Sequence, residues 1–107
     1  MVINQYDVYW IDLDPTKGSE IQKTRPCAVI SPNEMNHNIN TVIIAPITSA
    51  SRNYPTRVKT RLDDRDGWIV LDQIRCVDKL RLVRKAGVLE QGTIISIKEV
   101  IREMLID

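Results

Sequence analysis

"RPCAVISPNEMNHNINTVIIAPIT", Arg25 to Thr48, sets two apolar, β-branched runs on either side of a polar connection. "RPCAVIS" and "NTVIIAPIT" each have strand length and strand composition. Each also carries a proline. Pro26 stands at the first position of its strand, where a missing N–H costs least. Pro46 lies inside the second run and predicts an edge strand or a bulge. Between the runs, Ser31 is placed to cap a short helical turn through "PNEMN", with Pro32 at the first helical position and Glu34 three residues after the cap.

The same chemistry extends outward in both directions. "YDVYWIDL", Tyr6 to Leu13, is aromatic and β-branched with apolar side chains at both parities, which predicts a strand covered on both faces. "DPTKGSEIQKT", Asp14 to Thr24, is broken by Pro15 and Gly18 and reads as a mobile surface loop. After the loop "SASRNYP", "TRVKTRL" alternates, with Val58 and Leu62 on one face and Arg57, Lys59 and Arg61 on the other. "RLDDRDGW" predicts a hairpin turn signalled by Asp66-Gly67. "GWIVLDQIRCVDK" reads as one long strand with Asp72 on the apolar parity, and "RLVRKAGVL" as a further short strand. In "SIKEVIREMLI" the apolar residues Ile97, Val100, Ile101, Met104 and Leu105 form a helical stripe, with Ser96 and Glu99 as a capping box. Short strands followed by one terminal helix predict a small, strongly bent sheet or partial barrel with the helix packed on it.

A chain of 107 residues that is 43% hydrophobic is large enough for one core and too short for two ordinary domains, so a single domain over 1-107 is expected. Fifteen basic against fourteen acidic side chains remove any bulk electrostatic argument for nucleic acid, so an anion site has to come from local placement. Cys27 and Cys76 stand apart in apolar runs, outside any metal-ligand spacing, and are expected as core residues; the single histidine, His37, has no ligand partner nearby in sequence. No metal site is expected. Trp10 and Trp68 are likewise expected in the core. The four glycines are scattered at 18, 67, 87 and 92, which excludes a Gly-rich phosphate loop and with it a nucleotide cofactor. No segment has the apolar length of a membrane span or signal peptide, so no membrane role and a reducing, cytoplasmic setting are expected.

Arg25 is the residue that asks for a function, because a guanidinium at the mouth of a buried strand has to be solvated or paired. Two readings stand: a partner for Glu20 across the loop, or a donor held for an anion. Arginine's planar fork matches phosphate oxygens bidentately. RNA brings its own nucleophile in the 2′-OH, so a fixed guanidinium with a neighbouring hydroxyl, Ser19 or Thr48, suits cleavage of RNA without a metal. Arg57, Lys59 and Arg61 are either a solvated face or an RNA track.

"DVYWIDLDPTKGSE", "KTRPCAVISP", "NTVIIAPITS" and "VLDQIRCVDK", in that order and spacing, resemble the signatures of the MazF/PemK (Kid) toxin endoribonucleases, over nearly the whole chain. The resemblance implies a small SH3-like barrel of the CcdB/MazF type, mostly β with a C-terminal helix. It also implies a homodimer and ribosome-independent, metal-independent, sequence-specific cleavage of single-stranded mRNA to 2′,3′-cyclic phosphate and 5′-OH ends. A cognate MazE-like antitoxin is the implied partner. Arg25 matches the family's catalytic arginine, Thr48 the threonine beside it, and Asp72 an acidic residue used catalytically by some members; Ser19 stands where some carry a histidine. Gln73 and Arg75 match positions near the RNA groove, with Lys17, Glu20, Lys23, Arg57 and Lys59 completing the expected RNA-binding surface alongside Ser19. For Asp72 a structural role, accepting hydrogen bonds, stays open beside the catalytic one. The alternatives are a noncatalytic single-stranded RNA-binding barrel and a gyrase-poisoning toxin of the same fold; the latter relatives carry Trp-Gly-Ile where this sequence has "REMLID".

Overall fold

The computed structural model describes residues 1–106. Seven strands, β1 (Asp7–Asp12), β2 (Thr24–Val29), β3 (Thr41–Thr48), β4 (Arg57–Leu62), β5 (Arg65–Val70), β6 (Arg75–Asp78) and β7 (Leu82–Val88), form one antiparallel, curled sheet. Its order is β4-β5-β3-β2-β1-β7, with β6 also on β3. A short helix, α1 (Asn33–Asn36), joins β2 to β3, and the terminal helix α2 (Gln91–Ile101) continues into a wider π turn over Arg102–Ile106. The bent sheet with a terminal helix is the architecture expected from the sequence. No helix among the described residues is long and apolar enough to cross a membrane.

Both faces of the sheet are buried, as the double parity of β1 predicts. On one face Tyr9, Ile11, Cys27, Val29, Val42 and Ile44 pack together, closed by Val77 of β6, Leu82 of β7 and the loop residue Ile21. On the other, Val8, Ala28, Ala45, Ile47 and Ile69 meet Ile97 of α2, flanked by Val100, Ile101 and Met104. Burial of that helical stripe supplies the stability a short isolated helix lacks.

β3 has two partners along one edge. Thr41–Ile44 pair with β6, whereas Ile47 and Thr48 pair with β5. The run expected as one strand from Gly67 to Lys79 is therefore interrupted by a three-residue 3₁₀ turn, Leu71–Gln73. The turn loops out between β5 and β6 and leaves Ala45 and Pro46 without a partner on that side. Pro46 thus sits in a central strand, but at the one gap in its ladder where an absent N–H is tolerated.

Other local expectations are overridden by packing. The hairpin turn is at Asp63–Asp64, both with positive φ (50° and 61°), rather than at Asp66-Gly67. Gly67 lies inside β5, where an added Cβ would come within 3.1 Å of Ile47 Cγ2, so its small size serves packing and not the turn. Ser31 does not cap α1; its hydroxyl donates to Asn36 Oδ1 and accepts from Ile43 N (3.0 Å), fixing the buried Asn36 to β3. α2 starts at Gln91, five residues before the expected capping box, and Ser96 donates to Gly92 O (3.2 Å) as an interior residue. Trp10 and Trp68 are only partly buried, and Arg84 stacks over Trp10 at 5.4 Å.

Cys27 is fully buried as expected, but Cys76 is exposed, because Val77 takes the inward position on β6. Burial pushes the Cys27 thiol up to about 12, only slightly opposed by Arg75. Titration with a thiol-specific chromogenic disulfide should register only Cys76 in the native protein and both thiols after denaturation. Prompt native labelling of Cys27 would contradict this packing.

Candidate functional site

The β2–β3 ladder sets Cys27 opposite Pro46 and Ala28 opposite Ala45; continuing that register past its last pair places Arg25 opposite Thr48. Thr48 in turn pairs with Trp68 of β5, and Trp68 with Lys59 of β4. Residues opposite one another share a face of the sheet. Four strands therefore present Arg25, Thr48, Trp68 and Lys59 as one row, with Arg57 and Arg61 on the same face of β4. The two residues that bounded the opening stretch of sequence, Arg25 and Thr48, are thus brought side by side by strand pairing.

Arg25 is half-buried and its Nε donates to Gln22 O (3.2 Å). It does not pair with Glu20, whose carboxylate instead accepts from Lys17 N (2.6 Å) and closes the turn around Gly18. Among the described residues the ion pairs are Arg57–Asp72 and Lys85–Asp7, so Arg25, Lys59 and Arg61 carry positive charge with no acidic partner. Thr48 Oγ1 accepts from Ala50 N (3.2 Å), which leaves its hydroxyl proton free to be donated. A cleft of about 500 Å³ that includes Arg25 is lined by Trp10, Pro26, Ile47 and Leu62 together with Arg65, Asp63 and Asp66; Pro26 and Ile47 face the side of the sheet opposite to Thr48.

Asp72 is on the 3₁₀ turn, not on a strand face. Oδ1 accepts from Thr56 Oγ1 (2.9 Å) and Arg57 Nε (3.2 Å), and Oδ2 from Arg57 Nη2 (3.3 Å). Burial alone would raise its pKa, but the hydrogen bonds from Arg57 and Thr56 outweigh that and hold the carboxyl below the usual range. It is ionised at neutral pH and a weak proton acceptor. Arg57, expected on an RNA track, is correspondingly committed: besides Asp72 it reaches Ser51 Oγ (2.7 Å) and lies over the Tyr54 ring at 5.1 Å.

The loop expected to be mobile is tied down. Gln73 accepts from Ile21 N (2.7 Å) through Oε1 and donates to Ser19 O (3.2 Å) through Nε2; Arg75 donates to Leu13 O (3.0 Å) and Lys23 N donates to Asp14 Oδ1 (3.2 Å). Gln73 and Arg75, expected as RNA contacts, are thus engaged with loop carbonyls and amides, while the side chains of Lys17, Ser19 and Lys23 stay exposed. A second cleft of about 250 Å³, lined by Glu20, Ile21, Pro46, Asp72, Gln73 and Arg75, lies between loop and turn. No three His, Cys, Asp or Glu side chains among the described residues are grouped to hold a metal ion, and exposed His37 meets Asn4 Oδ1 at 3.0 Å.

Ser51 and Thr56 belong to this site without having been singled out from sequence, and Trp68, expected in the core, belongs to it as a partly buried residue. A hairpin placed at Asp63–Asp64 would have set Trp68 opposite Lys59, so the turn assignment was the missing signal for Trp68. Nothing local marks Ser51 or Thr56.

This row of free cations and a hydroxyl can hold a phosphodiester and donate to the charge that develops on it. A family profile described as PemK-like, MazF-like toxin of type II toxin-antitoxin system matches residues 4–105. The endoribonuclease toxin MazF of Escherichia coli (strain K12) is 35% identical over 88 residues, which cover 82% of this chain and 76% of that protein. The crystal structure of MazF from Deinococcus radiodurans superposes with a TM-score of 0.88 at 21% identity, covering 100% of this chain and 99% of the other. An endoribonuclease in complex with its cognate antitoxin from a mycobacterial species gives a TM-score of 0.82 at 23% identity, over 96% and 94% of the two chains.

Proposed function

The chain belongs to the PemK-like, MazF-like toxins of type II toxin–antitoxin systems, and from that premise we propose that it is a ribosome-independent endoribonuclease acting on single-stranded mRNA in the cytoplasm. The observation that carries the reading is the side-by-side placement of Arg25 and Thr48 on a face where, among the described residues, Lys59 and Arg61 also have no acidic partner. Arg57 alone of the β4 cations is paired, with Asp72. The scissile phosphate docks on Arg25. As the ribose 2′-OH attacks, charge builds on the non-bridging oxygens, and the guanidinium meets it with donors already in place. Thr48 donates to the same phosphate and fixes the ribose for in-line attack. The new O2′–P bond replaces the P–O5′ bond; water takes up the 2′-OH proton and returns one to the departing 5′ oxygen, so a 2′,3′-cyclic phosphate and a 5′-OH form with protons balanced by solvent. Lys59, Arg61 and the exposed Lys17 and Lys23 guide the flanking phosphates, and Trp68 offers a flat surface for an unstacked base.

The single domain over 1-107 acts as a homodimer, with the RNA groove shared across a two-fold axis. The partner is an antitoxin whose acidic, disordered tail covers the basic face and competes with RNA for Arg25; the antitoxin complex of the mycobacterial endoribonuclease supports this.

The test is digestion of a long, weakly structured transcript by purified protein in excess EDTA. New ends that accept phosphate from a polynucleotide kinase without prior dephosphorylation are the expected result. Tight retention of intact RNA would instead identify a noncatalytic RNA-binding barrel.

A further inference from the structure

The two loops that flank the site are remote in sequence and make no direct hydrogen bond to each other among the described residues, yet both end on the same 3₁₀ turn. The first, Leu13–Lys23, leads into Arg25; its Ser19 carbonyl and Ile21 amide are gripped by the two ends of the Gln73 side-chain amide. The second, Ser49–Thr56, leads out of Thr48; Thr56 bonds Asp72 directly, and Ser51 reaches it through Arg57, which Asp72 holds with both oxygens. Asp72 and Gln73 are neighbours in a turn only three residues long.

Building on the ribonuclease reading, we propose that Asp72 and Gln73 are positioning residues that act as one clasp, locking the two loops to a single turn so that Arg25 and Thr48 are presented to the phosphate at a fixed separation. A short turn has few backbone torsions, so displacing one of its side-chain anchors reorients the other. Loosening either loop therefore loosens both. Neither residue needs to touch RNA for this, and both already hold hydrogen bonds to the two loops. The clasp also explains why the carboxylate faces an arginine instead of standing free in the cleft.

Three variants test it: Gln73→Leu, which keeps shape and removes both grips, Gln73→Glu, which keeps only the acceptor for Ile21 N, and Asp72→Asn. Single-turnover cleavage is measured beside affinity for RNA carrying 2′-deoxyribose at the mapped cleavage position. Gln73→Leu and Asp72→Asn should each slow cleavage about 10- to 100-fold, the loss expected from slight misplacement of reacting groups, with affinity changed less than about threefold. Gln73→Glu should fall between. Because one device is broken twice, the double variant should be little slower than the worse single one.

Amide hydrogen exchange gives an arm independent of activity. Gln73→Leu should speed exchange across Ser49–Thr56, to which Gln73 makes no hydrogen bond. Rate losses that multiply in the double variant, or exchange that rises only in Leu13–Lys23, would overturn the clasp. If Gln73→Leu does not fold, Gln73→Glu carries the same comparison. Failure of the unaltered protein to cut RNA would overturn the ribonuclease reading instead, and the exchange arm would still decide the clasp.

Discussion

Arg25→Ala is expected to lower the single-turnover rate of RNA cleavage by about 100- to 1000-fold, the loss measured when one preorganised donor to a developing oxyanion is removed. The side chain is half-buried at the edge of β2 and fills no core cavity, so the unfolding midpoint should scarcely move. Arg25→Lys should recover only part of the rate, because an ammonium cannot reproduce the planar fork at the position where Gln22 O now orients Nε. Thr48→Val keeps the shape and removes the hydroxyl, and should reduce rate more than affinity for uncleavable RNA. Circular dichroism has to show native protein in each case. Full cleavage by well-folded Arg25→Ala would remove the mechanism and leave this arginine as a surface residue.

The largest stability effect is expected in the core face enclosed by the curl. Ile44 is fully buried in β3 between β2 and β6, packed with Tyr9, Ile11 and Val29. Ile44→Ala should cost about 2–5 kcal/mol, a transfer loss plus the cavity left among neighbours that cannot all collapse. Against a total stability of about 5–15 kcal/mol this approaches global unfolding. In urea the midpoint should fall by roughly 1 M or more for a slope near 1–3 kcal/mol/M. Ile44→Val, which removes one methylene, should cost only about 0.5–1.5 kcal/mol. An unchanged midpoint for Ile44→Ala would show that β3 does not carry the core.

These expectations rest on features that differ in how far they are readable from sequence. The strands over Tyr6–Leu13, Arg25–Ser31, Asn40–Thr48 and Thr56–Leu62 are written in local chemistry, because burial of alternate or successive side chains demands β-branched and apolar residues at fixed periods. The terminal stripe from Ile97 to Met104 is written in the same way at helical spacing. Arg25 stood out because a guanidinium beside a buried run requires a reason.

Where local signals competed, tertiary packing won. Asp66-Gly67 is the stronger turn dipeptide, but Gly67 is needed where β5 passes Ile47, so the chain reverses at Asp63–Asp64 despite the left-handed backbone that costs two aspartates. Gly92 and the β-branched Thr93, Ile94 and Ile95 argue against a helix locally, yet α2 includes them, because extending it buries more of the stripe beneath β4.

The sequence by itself determined most element types, the two-sided core and the candidate Arg25, since each depends on the character of a residue and its near neighbours, while Thr48 and Asp72 were marked as catalytic candidates by the resemblance of their motifs to the family. Only the tertiary structure decided what those candidates touch. The pairing register that brings Arg25 beside Thr48, the bond from Asp72 to Arg57 fifteen residues earlier, and the grip of Gln73 on Ile21 fifty-two residues away are choices among many chemically equivalent partners. Hydrogen bonds and ion pairs are short-ranged and directional, so any carboxylate or amide in the chain could satisfy such a partner on composition alone. The fold chooses by which backbones the curl of the sheet brings within about 3 Å.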